Sequence, residues 1–185
     1  MKFINTQALN TISPAEFQKT RPFPFVAIKD LLTSEGFDAL MKSMPDISLF
    51  EKSEGMTRAY GQKPHDRYEL KYRPDLIISP EWKSFIDELS SHEYRTHMAL
   101  LFGTSKFTMR YQWQYAYTGS SVSPHCDSHN KVGSHLLYFN TSEDWDMSWG
   151  GRTLILDDEG KFSCKSAPAI SDFKKAPIAV DVLDN

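Results

Sequence analysis

The sequence predicts an α+β domain in which helices come first and a β-rich core follows. Apolar residues recur at helical spacing in three stretches before Gly103. From residue 107 to residue 117, large apolar and aromatic residues alternate strictly with small or polar ones, which is the pattern of a strand. Further apolar runs at residues 134–140 and 152–157 extend the β-rich part. This order of helices and then strands favours the α+β class.

Length and composition indicate one domain over residues 1–185, with helical support in about residues 1–103 and the β-rich core in about residues 104–185. The 21 basic and 24 acidic residues nearly balance, so charge gives no reason to expect nucleic acid or a membrane as a partner. The N-terminus lacks the apolar core of a secretory signal. Cys126 and Cys164 are far apart and outside any CxxC motif, so we expect no disulfide framework. Together these features predict a cytoplasmic protein.

The first elements are predicted from capping and turn signals. Ser13 followed by Pro14 marks the start of a short helix. Residues 23–28 are predicted as an edge strand, because Pro22 and Pro24 lie near its start. A helix then opens at residue 33 or 34 and closes at Pro45. Its predicted apolar face consists of Phe37, Leu40, Met41 and Met44.

Residues 46–78 have no sustained period, apart from a strand expected at residues 68–72. They are predicted as a long solvated connection or as a flexible lid over a site. The histidine and arginines of this stretch are expected at the surface: Arg58, His65, Arg67 and Arg73. Two amphipathic helices follow, one starting at Ser79 and one over residues 92–102. Their predicted inward residues are Trp82, Phe85, Ile86, Leu89, Tyr94, Met98, Leu101 and Phe102.

The strand at residues 107–117 leads through a turn at Gly119 to a pair of candidate metal ligands. His125 and Asp127 are two residues apart, so on an extended segment both side chains point to the same face. An imidazole and a carboxylate on one face suit a divalent first-row metal such as iron(II). The spacing alone is weak evidence, and the strands predicted around it strengthen it. After the two runs named above, shorter strands are expected at residues 162–165 and 176–182.

The run from Pro124 through His125, Cys126 and Asp127, continued by residues 133–158, resembles the iron(II)- and 2-oxoglutarate-dependent oxygenases. The similarity is strongest to the bacterial branch related to prolyl 4-hydroxylases. It covers roughly residues 21–158 and is most specific over residues 117–158. The resemblance implies a double-stranded β-helix, or jelly roll. It also implies a metal bound by the His-x-Asp pair and a second histidine far downstream, with an arginine or lysine nearby for the cosubstrate.

The resemblance assigns roles to four residues of this chain. His125 and Asp127 match the first two metal ligands, and are therefore the expected catalytic centre. Tyr117 matches a tyrosine that could hydrogen-bond 2-oxoglutarate, although a core aromatic is an equal alternative, and Arg110 is a weaker candidate for the same pocket. The implied cofactors are iron(II) and 2-oxoglutarate, to which ascorbate could be added. The implied reaction is hydroxylation of a small molecule or peptide, with succinate and carbon dioxide as coproducts; a homo-oligomeric state stays open.

The pattern of the family is incomplete in this sequence. After His135 there is no further histidine, so that His129 and His135 are the two candidates downstream of the pair, and a structural role is more usual for His135. Arg152 is the one arginine after Asp127, and it does not match the family's cosubstrate position. The last two core strands of the family are also missing.

Three explanations of this incomplete pattern are open. The chain could be a fragment, a shortened homologue that has lost catalysis, or a chain completed by a partner. The alternative function is therefore a non-catalytic binding protein with the same fold. A zinc hydrolase is less favoured, because no HExxH-like spacing is present.

Overall fold

The computed structural model describes residues 1–56 and 58–180, which form helices and two small antiparallel sheets. The α-helices are α1 Thr6–Asn10, α2 Pro14–Lys19, α3 Ser34–Lys42, α4 Pro80–Ser90 and α5 His92–Phe102. The strands are β1 Glu51–Ser53, β2 Arg67–Lys71, β3 Gln112–Tyr115, β4 Thr153–Ile155 and β5 Ile178–Val180. No helix in this part of the chain is both long and apolar enough to cross a membrane.

The longer helices begin where their capping residues predict. The Thr33 side chain accepts a hydrogen bond from Gly36 N at the start of α3, and Ser79 caps α4 by accepting from Trp82 N. Ser91 caps α5 in the same way, and Gly103 ends it in the left-handed region at φ 68°. These bounds confirm the predicted helices, because capping is a local property that the sequence displays directly.

The N-terminal segment differs from the prediction. Residues 23–28 do not form an edge strand, because Pro24 removes a backbone donor from a possible ladder and no described segment pairs with them. The backbone at residues 3–5 pairs instead with residues 31–33. Asn5 N donates to Leu31 O over 2.8 Å, and Thr33 N donates to Phe3 O over 2.8 Å. Helix α1 was not predicted, since five residues are too few to display a period.

The first sheet has the order β1-β2-β3 and is antiparallel throughout. Its β2–β3 register places Tyr68 opposite Tyr115 and Leu70 opposite Trp113. The strand predicted at residues 68–72 is therefore confirmed with a shift of one residue. The longer strand predicted at residues 107–117 is confirmed in its central part, where β2 supplies a partner.

The second sheet pairs β4 with β5, so that Thr153 lies opposite Val180 and Ile155 opposite Ile178. These strands confirm the centre of the run predicted at residues 152–157. They also confirm the described part of the run predicted at residues 176–182, whose last two residues lie outside the described chain. Residues 134–140 and 162–165 form no strand, because no described segment pairs with their backbone. Those two strand predictions are wrong.

Within the described residues neither sheet closes into a barrel. The α+β class is confirmed, and the jelly-roll core is not. Among the described residues, the buried apolar side chains all lie between Phe3 and Trp113. At their centre, Trp82 Nε1 donates to Leu40 O over 3.2 Å, and the Trp82 ring meets the Phe85, Trp113 and Phe139 rings at centroid distances of 5.8, 5.2 and 5.3 Å.

Two adjacent leucines of α5 test this core. Leu101 is 3% exposed and Leu100 is 60% exposed. We expect Leu101→Ala to lower the free energy of unfolding by about 2–5 kcal/mol, because it removes buried methyl groups and leaves a cavity. Leu100→Ala should change it by less than about 0.5 kcal/mol. Urea denaturation of both variants measures the difference, and equal effects would contradict the placement of α5.

Candidate functional site

The predicted metal ligand His125 lies in an exposed loop after β3, and this loop has no strand geometry. No strand forms at His125 and Asp127, and the expectation that their side chains share one face stays a prediction. The loop holds His125 in another way. His125 Nδ1 lies 2.8 Å from Ser123 O, which can only accept, so Nδ1 carries the proton. In the neutral ring this leaves the Nε2 lone pair free for a ligand.

Asp127, the second predicted ligand, is fixed by two neighbours. Ser134 Oγ donates to Asp127 Oδ2 over 2.8 Å, and Lys131 Nζ lies 3.0 Å from the same oxygen. Partial burial acts to raise the pKa of Asp127, but the hydrogen bonds from Ser134 and Lys131 and the charges of Lys131 and His125 outweigh it. The pKa therefore lies below its ordinary value. The side chain is an anion at neutral pH, as a metal ligand requires.

The structure adds a histidine to this pair. His65 was predicted to be a surface residue, yet its ring centroid lies 4.5 Å from that of His125, with the planes inclined by 57°. Ser123 contacts both rings, since its Oγ lies 3.4 Å from His65 Nε2. Burial, together with the charges of Arg58, His125 and Arg67, lowers the pKa of His65 to about 4. His65 is accordingly neutral at physiological pH.

Strand pairing explains why His65 was missed. His65 lies two residues before β2, and the antiparallel β2–β3 ladder places this end of β2 beside the end of β3. The chain turns directly after β3, where Ser120 N donates to Tyr117 O over 2.9 Å. The loop then returns to the start of β2. The signal that could have found His65 was the pairing of the two predicted strands.

Tyr117 lies at this same end of the first sheet. Its ring packs edge-on against Tyr68 at 5.8 Å, and Lys52 Nζ lies 5.0 Å from its ring centroid. Burial raises the pKa of Tyr117, and the carboxylates of Glu54 and Asp66 add to this effect. The hydroxyl is buried and has no hydrogen-bond partner in the described residues. A ligand could therefore satisfy it.

The other candidates from the sequence lie elsewhere. Arg110 is exposed, three residues before the β3 tryptophan. His129 is exposed in a turn closed by Lys131 N donating to Ser128 O over 2.8 Å. Arg152 is exposed and donates to Met147 O over 3.3 Å. Within the described residues, none of these three side chains bonds to His125 or Asp127.

His135 is engaged by helix α5 through Tyr94. The Tyr94 hydroxyl lies 2.6 Å from His135 Nδ1, and the two rings are parallel at 6.3 Å. Atoms packed around the ring lower the pKa of His135 to about 4 by desolvation, although part of the residue remains exposed to solvent. Gly133 precedes it where a Cβ would lie 2.6 Å from a Phe102 ring carbon. This segment is thus docked on α5 by side chains rather than by a backbone ladder.

Cys126, which lies between the two predicted ligands, forms a disulfide with Cys164, with the two Cα atoms 5.2 Å apart. This corrects the expectation of no disulfide: the cysteines are 38 residues apart in sequence, but the fold brings them together. Because disulfides are rare in reducing compartments, cysteine usage no longer supports a cytoplasmic location. The location stays a prediction. The disulfide ties the ligand loop to the segment before β5.

Two arginines, Arg58 and Arg67, lie near enough to His65 for their charges to act on it. Arg58 hydrogen-bonds Gln62 Oε1 at 3.4 Å, and Gln62 Nε2 donates to Ser166 O over 3.1 Å, near the disulfide. Arg67 Nη2 pairs with Glu69 Oε1 at 2.9 Å, while its Nε is buried without a partner in the described residues. The site therefore combines two imidazoles in contact and a cationic wall, with the Asp127 carboxylate two residues from His125 in the same loop. A cationic wall of this kind suits an anionic ligand.

In the described residues no three His, Cys, Asp or Glu side chains converge closely enough to hold a metal ion. The donor types nevertheless fit iron(II), since His125 presents a free Nε2 and Asp127 is ionised. Comparisons with protein-family models, with curated proteins and with solved structures each found no match.

The disulfide can be tested by counting thiols. We expect no free thiol in the denatured, unreduced protein and two after reduction, measured with a thiol reagent. Loop-closure entropy for this separation predicts that reduction lowers the free energy of unfolding by about 2–4 kcal/mol. In the Cys126→Ser, Cys164→Ser double variant, the reductant should have no effect on stability. Two free thiols before reduction would contradict the pairing.

Proposed function

We propose that this protein is an iron(II)- and 2-oxoglutarate-dependent dioxygenase that hydroxylates a side chain or a small metabolite. The observation that carries the proposal is the hydrogen bond of the His125 ring, which lies in the run of sequence that resembles this family. Its Nδ1–H donates to Ser123 O, so the ring is oriented and its Nε2 lone pair is available to a metal. Asp127, two residues on, supplies an anionic oxygen. When bound, iron(II) would let dioxygen oxidise 2-oxoglutarate and the substrate together, so that one oxygen atom enters the hydroxylated product, the other enters succinate, and carbon dioxide is released.

The chain's own residues would bind and orient the reactants. His125 and Asp127 would hold the metal, leaving open positions for the cosubstrate. The unpaired hydroxyl of Tyr117 would donate a hydrogen bond to 2-oxoglutarate, whereas Arg110 precedes the other end of β3 and is not part of this proposal. A jelly-roll arrangement of the β-rich part, with ascorbate as a supporting reductant, belongs to the same proposal. The substrate would be a small molecule or a peptide.

A second candidate is a non-catalytic binding protein with the same fold. One observation favours it: Asp127 Oδ2 already accepts from Ser134 and pairs with Lys131. A metal has to compete with the Lys131 ammonium for this carboxylate. If that competition fails, the loop binds a partner rather than iron. Metal affinity separates the two candidates.

The metal-binding proposal is tested by anaerobic calorimetric titration with manganese(II) in place of iron(II). We expect the protein to bind one ion, and His125→Ala to abolish binding, because it removes a donor nitrogen. His129→Ala is the matched control, since His129 is an exposed histidine four residues further on, and it should bind as the parent does. Unchanged affinity in His125→Ala would exclude the dioxygenase proposal.

The cosubstrate contact is tested by titrating 2-oxoglutarate into the manganese-loaded protein. Binding should require the metal. Tyr117→Phe should weaken it roughly fivefold, as expected for one hydrogen bond worth about 1 kcal/mol. Tyr115→Phe provides the control, because this tyrosine of β3 packs on Phe50 at 5.0 Å and lies two residues from Tyr117. Equal losses in both variants would assign Tyr117 a packing role.

A further inference from the structure

We propose that Arg58 and Arg67 form a binding site for an oxyanion, a carboxylate or a phosphate group, on a ligand other than 2-oxoglutarate. The charges of both arginines act on His65, whose ring contacts His125. Such a site needs no metal, so it goes beyond the proposed function. If the protein is the proposed dioxygenase, the oxyanion belongs to its substrate, which is then an acid. This last assignment alone rests on the proposed function.

The Arg58 guanidinium has no carboxylate partner within the described residues. Its Nε and Nη2 both donate to a single oxygen, Gln62 Oε1, and both distances are 3.4 Å, which is long for a hydrogen bond. A guanidinium carries five N–H donors in one plane. Arg58 is half-buried, so the donors that Gln62 does not use are partly shielded from water. An oxyanion can accept from two of them at once.

Arg67 is held by two neighbours and still has an unused donor. Its Nη2 pairs with Glu69 Oε1 at 2.9 Å, and its Nη1 donates to the backbone carbonyl of His65 over 3.4 Å. These two contacts orient the guanidinium next to His65. Its Nε is buried and has no partner within the described residues. Because proteins rarely leave a buried donor unpaired, a bound acceptor is expected at this nitrogen.

The carboxylates of residues 54–69 already have partners, so they leave the charge of Arg58 unbalanced. The contacts are Glu54 with Lys52 at 2.6 Å, Asp66 with Gly55 N at 2.8 Å, and Glu69 with Arg67 at 2.9 Å and Lys71 at 3.2 Å. Asp66 opposes an anionic ligand. Over residues 52–71, however, five cationic side chains face three carboxylates. This excess of positive charge favours an anion over a cation beside His65.

The contacts that hold Arg58 also connect it to the loop of His125. Gln62, which accepts from Arg58, donates through its Nε2 to Ser166 O over 3.1 Å. Two residues before Ser166, Cys164 forms the disulfide with Cys126, the neighbour of His125. The arginines and the predicted metal ligand therefore belong to one connected group of side chains. Under the proposed function, a substrate held here by its acid group would lie beside His125.

The test is nuclear magnetic resonance of the metal-free protein labelled with ¹⁵N-arginine, titrated at constant ionic strength with inorganic phosphate and, separately, with acetate. The Nε–H signals of Arg58 and Arg67 should shift saturably with both probes, and the tighter probe identifies the class of acid. Arg73 is the internal control, because it is exposed beyond the other end of β2 and lies 3.7 Å from Asp75. Its signal should show no saturable shift.

Variants test whether the arginines themselves bind the anion. Arg58→Gln should weaken phosphate binding roughly 10- to 100-fold, as expected for lost hydrogen bonds to a charged group. Arg58→Lys should recover only part of the affinity, because it keeps the charge but not the planar fork. Arg73→Gln removes the same charge from an exposed position and should bind as the parent does. Equal losses in Arg58→Gln and Arg73→Gln would overturn the site, since net charge alone would then explain the binding.

A titration of 2-oxoglutarate into the manganese-loaded protein separates this site from the cosubstrate. Arg58→Gln, shown to be folded by circular dichroism, should bind 2-oxoglutarate as the parent does. If it loses 2-oxoglutarate and phosphate equally, the arginines hold the cosubstrate, so the inference is overturned and the proposed function stands. If the parent binds phosphate at the arginines but binds no manganese, the proposed function is overturned and the site stands. No saturable shift in the parent overturns the site.

Discussion

The packing of the Trp82 indole holds the elements of this fold together. Its Nε1 donates to the backbone carbonyl of Leu40, a buried residue of α3. Its ring contacts Trp113 of β3 and Phe139, which lies in residues 134–140, a segment that forms no strand. One side chain of α4 therefore sets the positions of a helix, a sheet and a segment without backbone pairing. Large aromatic rings are suited to this, because each buries much apolar surface in a defined orientation.

The candidate site depends on that packing through β3. Since Trp113 is opposite Leu70, the position of β3 fixes β2, and His65 lies two residues before β2. The loop after β3 returns His125 to the same end, where Ser123 contacts both histidines. The disulfide then anchors the loop to a distant part of the chain. A site of this kind is built by strand register, and a shift of the register would separate its histidines.

The sequence was informative where structure is local. Helix caps such as Thr33 and Ser79 predicted α3 and α4 closely, because a cap acts within a few residues. The strand predicted at residues 134–140 failed because a strand exists only with a partner, and Phe139 is held by rings of α3 and α4 instead. His65 and the disulfide were missed for one reason: both contacts arise from long-range pairing, which a single sequence does not display.

The most direct test of the account is whether the His125 imidazole binds the metal ion. Pulsed electron paramagnetic resonance of manganese(II) in protein labelled with ¹⁵N-histidine detects the nitrogen coupling of a coordinated ring. The account predicts an imidazole coupling in the parent protein that is lost in His125→Ala. A parent spectrum without an imidazole coupling, or a coupling that His125→Ala leaves unchanged, would contradict the proposed metal site.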